Sequence, residues 1–121
     1  MPRSKKIRSV QSQPPVSVFK PAGIPARALR HVALRLDEYE AIRLADYEGL
    51  QQEEVAQRLG VSRPTVSRIL QSGRRTVAAA FVEGKALLIE GGPVRFGPPR
   101  AAGMPGRGGR HRHGHGGPPW R

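Results

Sequence analysis

The 121-residue chain contains no cysteine. That excludes a disulfide framework and any thiolate-ligated zinc site, and it leaves the redox compartment open. No apolar run approaches the roughly 18 residues of a membrane span, and the basic N-terminus is not followed by the apolar stretch of a signal peptide. A cytoplasmic location with no membrane insertion is the reading that follows. No glycine-rich phosphate loop lies between a strand and a helix. Ser62, Ser67 and Ser72 have no histidine partner in the folding region except His31. No catalytic constellation results, and neither an enzyme nor a cofactor is expected.

Acids are missing from both ends of the chain. Residues 1–36 hold eight Lys or Arg and no Asp or Glu, and residues 91–121 hold six arginines and no acid. Residues 37–59 reverse this with seven acids (Asp37, Glu38, Glu40, Asp46, Glu48, Glu53 and Glu54) against Arg43 and Arg58. The net charge of +12 favours a polyanionic partner, nucleic acid first and an acidic membrane surface as the alternative. The uneven placement fits a protein that lies on phosphates with an acidic side turned outward.

The stretch Gln52 to Leu70, QEEVAQRLGVSRPTVSRIL, organises the rest. Val55, Ala56 and Leu59 share one face of a first helix. Gly60 supplies a left-handed turn, and Val61 plugs the space between two helices. Ser62 caps the second helix, and Pro64 falls in its first turn, where a missing N–H costs nothing. Val66, Ile69 and Leu70 give that helix an apolar inner face. Arg63, Thr65, Ser67, Arg68 and Gln71 stay free on the outside. This is the pattern of a DNA-binding helix-turn-helix with the second helix as reader; a helical hairpin that merely packs is the alternative.

Asp37 opens an earlier helix, with Asp37-x-x-Glu40 as a capping box, early acids on the positive end of the dipole, and Leu36 and Ala41 as a staple. Gly49 ends it. The reading helix continues to Gly84 on a stripe that includes residues 66, 69, 70, 73, 77, 80 and 81, with Gly73 as a close helix contact or a bend. Two short extended segments flank the helices: His31 to Leu36, where Val32, Leu34 and Leu36 alternate with more polar residues, and Lys85 to Glu90. Val18 to Pro25 is stiffened by its prolines, with Phe19 and Ile24 as anchors onto a core. Residues 1–17 read as a flexible basic arm. Of the 31 residues from 91 onward, 16 are Gly or Pro, and residues 93–121 read as a disordered tail. The expected fold is mostly α: a three-helix domain over residues 18–92 with short β flanks and disordered tails. A core of that size is near the lower limit for self-sufficiency, which argues for a homodimer or for the proline-rich lead-in packing across the helices.

MPRSKKIR at the start, FKPAGIP at 19–25, DEYEAIRLADYEGLQQEEVAQRLGVSRPTVSRIL at 37–70 and GKALLIEGG at 84–92 resemble a family of small bacterial and archaeal proteins. These are uncharacterised and described as predicted DNA-binding proteins with a domain of unknown function. The central part is also similar to the promoter-reading fourth region of sigma factors. The resemblance implies that a three- or four-helix unit presents one helix to the major groove. Many relatives continue after the GG with a cysteine-rich, metal-binding segment. This chain instead has RGGRHRHGHGG at 107–117, so a zinc role does not carry over.

The expected function is sequence-specific binding of double-stranded DNA in transcriptional regulation. Arg63 and Arg68 are the base-reading candidates, since arginine donates two bonds to guanine N7 and O6. Ser62, Thr65, Ser67 and Gln71 read or contact phosphate, and Arg74 and Arg75 meet the backbone. The alternatives are a protein-interaction module docking on RNA polymerase or another transcription protein, and a metal-linked regulator in which His111, His113 and His115 gather around a cation. Arg107, Arg110 and Arg112 sit in a glycine-rich setting that suits loose nucleic-acid contact, and Trp120 offers a stacking surface.

Overall fold

The structure is a computed structural model describing residues 6–99. Its elements in chain order are β1 (Arg8–Val10), β2 (Val18–Phe19), a 3-10 turn (Ala26–Ala28), β3 (His31–Leu34), α1 (Leu36–Ile42), a π-turn (Arg43–Tyr47), α2 (Gln52–Leu59), α3 (Arg63–Glu83), β4 (Ala86–Ile89) and β5 (Val94–Phe96). The fold is mixed α/β, with three helices and two small sheets, and this corrects the mostly-α expectation. What composition concealed was pairing between segments far apart in sequence. β4 is the centre of a three-stranded sheet, parallel to β3 and antiparallel to β2, with Leu34 opposite Ile89. The helices therefore form the crossover between two neighbouring parallel strands. β1 and β5 pair in parallel, Arg8 opposite Val94, so the two ends of the described chain meet.

That second pairing corrects both tail boundaries. Arg8, Ser9 and Val10 are buried, and Val94 to Phe96 continue past the Gly91-Gly92 break. The Arg8 N–H donates to the Pro93 carbonyl at 2.8 Å, and the Gly97 N–H to the Val10 carbonyl at 2.9 Å. Neither strand has the length or alternation that marks a strand in isolation.

Two apolar clusters form the core. Ala41, Leu44, Val55, Ala56, Leu59, Val66, Ile69 and Leu70 lie between the helices, as their spacing predicts. Leu34, Ala80, Leu87 and Ile89 lie between the sheet and the second half of α3. Ile42 packs against both. Phe19, Ile24 and Phe81 are 54, 40 and 77 % exposed, so the two expected anchors and the expected stripe position at 81 lie outside the core.

Gly60 and Gly84 terminate α2 and α3 in left-handed conformations, φ 76° and 67°, where a Cβ is penalised. Gly73 has a different reason. A Cβ there would lie 3.0 Å from the Glu38 Cβ and 3.1 Å from the Ile42 Cδ1, so the glycine lets α1 and α3 cross closely. Gly73→Ala gains about 1 kcal/mol of helix propensity but overpacks this crossing, which costs about 1–3 kcal/mol. We expect a net loss of about 1 kcal/mol by urea denaturation; a gain would show that the crossing relaxes freely.

Candidate nucleic-acid interface

The turn between α2 and α3 fixes how α3 is presented. The N–H groups of Gly60 and Val61 both donate to the Ala56 carbonyl, at 2.8 and 3.0 Å, closing the end of α2. Val61 packs onto the helical core. Ser62 is the N-cap of α3: its Oγ accepts from the Thr65 N–H at 3.4 Å and lies 2.9 Å from the Thr65 Oγ1. Ser62 and Thr65 are thus engaged with each other in holding the first turn.

Successive residues of a helix are rotated by about 100°, which sorts the candidates on α3 by direction. Val66, Ile69, Leu70 and Gly73 point inward and are buried. Directly opposite lie Pro64, Arg68, Gln71 and Arg75, all exposed. Arg63, Ser67 and Arg74 form one shoulder of this line and Thr65 and Ser72 the other. On the first shoulder, the Ser67 Oγ donates to the Gln52 Oε1 at 2.9 Å. Arg74 donates to both oxygens of Asp46, at 3.1 and 2.7 Å, and this hydrogen bonding raises its pKa above the ordinary arginine value. Arg74 therefore braces α3 against the π-turn.

The other shoulder opens onto a groove of about 760 Å³, into which Arg68, Gln71, Ser72 and Arg75 face. Its far wall comes from Lys6 and Arg8 of the N-terminal segment and from Arg35, between β3 and α1. Among the described residues, no acid lines this groove. Sequence reasoning missed Arg8 and Arg35 as site residues: the β1–β5 pairing brings Arg8 opposite α3, and the ion pair with buried Asp37 holds Arg35 there. It also missed Gln52 as a partner for Ser67; nothing local in the sequence points to that bond.

The acids stand behind this wall. Asp37, Glu38 and Glu40 are 0, 2 and 3 % exposed, against the expectation of an acidic side turned outward. The Asp37 Oδ1 pairs with the Arg35 Nε at 3.0 Å and its Oδ2 with the Arg8 Nε at 3.4 Å. Glu38 accepts from the Arg35 N–H at 2.9 Å and from the Ser72 Oγ at 2.5 Å. Arg35 is the N-cap residue of α1, two residues earlier than the cap expected at Asp37. Glu38 rather than Glu40 therefore makes the return bond of the cap. Glu40 accepts from the Arg43 Nε and Nη2, both at 2.9 Å, and from the Gln11 N–H at 3.1 Å. Burial works against the Arg35 cation, but its hydrogen bond to Asp37 and the charges of Asp37 and Glu38 outweigh this and raise its pKa.

No helix of the described residues is long and apolar enough to cross a membrane, and no cluster of His, Asp or Glu among them could hold a metal. The tail candidates Arg107, Arg110, His111, Arg112, His113, His115 and Trp120 lie outside the described residues.

The chain belongs to the family described as "Protein of unknown function DUF134", which matches residues 1–96. It is 52 % identical over 115 residues to a UPF0251 protein of Thermoanaerobacter sp. (strain X514), covering 95 % of this chain and 100 % of that one. It is 53 % identical over 98 residues to a UPF0251 protein of Rhodospirillum rubrum, covering 81 % and 68 % of the two chains. A UPF0251 protein of Moorella thermoacetica is 55 % identical over 92 residues, or 76 % and 62 % of the two chains. No solved structure matches.

Removing one partner from a buried ion pair leaves an uncompensated charge and costs about 3–5 kcal/mol. Asp37→Ala strands Arg8, which is 6 % exposed, and we expect a loss of that order in urea denaturation. Glu54→Ala is the control: it breaks only the exposed pair with Arg58, worth about 0–1 kcal/mol. Equal losses for the two variants would contradict the structural role of Asp37.

Proposed function

We propose that this protein is a sequence-specific DNA-binding regulator of transcription, with α2 and α3 as a helix-turn-helix and α3 as its reader. The observation that carries the reading is the coincidence of two features on one surface. The outward line of α3 offers Arg68, Gln71 and Arg75 without a partner among the described residues, and the adjoining groove adds Lys6, Arg8 and Arg35 with no acid. Arg68 is the base-reading candidate, because its guanidinium matches guanine N7 and O6. Gln71 suits a base edge or a phosphate, and Arg63, Arg75 and Lys6 suit backbone phosphates on either side. Ser67, held by Gln52, brings the side-chain amide at the start of α2 beside the same backbone. Ser62 and Thr65 set the start of the reader, and Arg74 steadies it.

Phosphate contacts and base contacts separate experimentally. Arg68→Ala is expected to cost about 1–3 kcal/mol on a preferred duplex and to relax preference at one position. Equal losses on preferred and random duplexes would remove Arg68 as a reader. Fluorescence anisotropy that finds no DNA binding even at low salt would replace this reading with docking on a transcription protein. Ending the chain after Pro99 removes five arginines while keeping β5. It should flatten the dependence of affinity on salt by about 0.9 in log–log slope per lost phosphate contact and leave the preferred sequence intact. A changed preferred sequence would show that the removed segment also reads bases.

A further inference from the structure

We propose that the groove between β1 and α3 is a binding site for a small organic phosphate carrying two or three negative charges. Five cations line it: Lys6, Arg8, Arg35, Arg68 and Arg75. The two carboxylates behind the wall, Asp37 and Glu38, match the charge of Arg8 and Arg35, leaving a surplus of three positive charges facing the groove. The volume of about 760 Å³ falls within the range of small-molecule sites, and α3 adds the Ser72 and Gln71 side chains.

Arg8 distinguishes this groove from a merely basic surface. It is 6 % exposed, yet its Nε has no hydrogen-bond partner among the described residues. The nearest carboxylate oxygen, on Asp37, lies at 3.4 Å in an ion pair without hydrogen-bond geometry. One of its terminal nitrogens is already committed to the Lys6 carbonyl at 2.6 Å. A buried donor left unsatisfied is costly, so Asp37 holds the Nε by charge alone, and the second terminal nitrogen of Arg8, with no hydrogen bond among the described residues, is the donor that a phosphate oxygen in the groove would meet. Asp37 holds Arg8 and Arg35 in place beforehand, so little side-chain ordering remains for the ligand to impose. Arg68 and Arg75 belong to the groove and to the outward line of α3 alike. A ligand drawing them inward competes with DNA. The competition rests on the DNA-binding reading, whereas the site does not.

The shared chemistry, a phosphate group on Arg8, can come from a free organic phosphate or from the nucleic-acid backbone, and titration separates the two sources. Isothermal titration of the full chain with pyrophosphate, against sodium chloride at matched ionic strength, is expected to give saturable one-to-one binding. Arg75→Gln, an exposed change with no described partner to lose, should weaken it about tenfold, as for one charge-assisted bond. Arg8→Gln should abolish it, and Arg27→Gln, on the exposed 3-10 turn, should leave it unchanged. Should Arg8→Gln fail to fold, the contrast between Arg75 and Arg27 decides alone. Absent saturation, or equal losses for Arg75 and Arg27, would overturn the proposal; saturation with duplex DNA alone would also overturn it and assign the groove to the backbone. Anisotropy with labelled duplex DNA then shows whether pyrophosphate displaces it. Pyrophosphate binding without any DNA binding would leave the site standing and remove the DNA reading.

Discussion

The rest of the molecule depends on three carboxylates taken out of water at the start of α1. Asp37, Glu38 and Glu40 each cost several kcal/mol to desolvate, roughly speaking, so each must be met by fixed partners. Those partners come from segments far apart in the chain. Arg8 and Gln11 arrive from the N-terminal segment, Arg35 from the end of β3, and Ser72 from α3. The chain after β4 passes so close that a Cβ on Gly92 would lie 3.0 Å from the Asp37 Oδ1. The positive end of the α1 dipole adds to the stabilisation. The apolar clusters supply the bulk driving force, and the carboxylates determine which segments come together around α1.

The same arrangement separates the charges. Turning acids inward and spending others, Glu48, Glu54 and Asp46, on Arg43, Arg58 and Arg74 leaves the outward line of α3 and the adjoining groove basic. A net charge of +12 by itself would attract any polyanion. The part of it carried by Arg63, Arg68 and Arg75, on one helix held by a capped three-residue turn, acquires direction. This is the physical link between the buried ion pairs and the proposed function: the acids that hold Arg8 and Arg35 complete the wall facing α3.

How much of this is legible in sequence differs by element. α2, α3 and their turn are legible because the signals are local: Gly60 needs a left-handed backbone, Ser62 caps, Pro64 suits a first turn, and the inner positions repeat at helical spacing. The alternation of β3, the apolar run of β4 and the packing role of Gly73 are legible for similar reasons. β1 and β5 are not, since three residues show no period and their pairing spans most of the chain. The burial of Asp37, Glu38 and Glu40 is hidden because early acids in a helix also satisfy the dipole from the surface. Phe19 and Phe81 mislead in the opposite direction, because an apolar residue on the surface is common and nothing local marks it. On the site itself, the line Arg68, Gln71 and Arg75 is legible from helical geometry, while Arg8 and Arg35 enter through the tertiary fold alone.

The central claim is that α3 reads duplex DNA. Selection of bound duplexes from a random pool by the full chain tests it most directly, since one measurement asks whether DNA is bound and whether sequence matters. Recovery of a defined motif a few base pairs long is expected, as one helix in the major groove would read. A pool recovered without enrichment would contradict it.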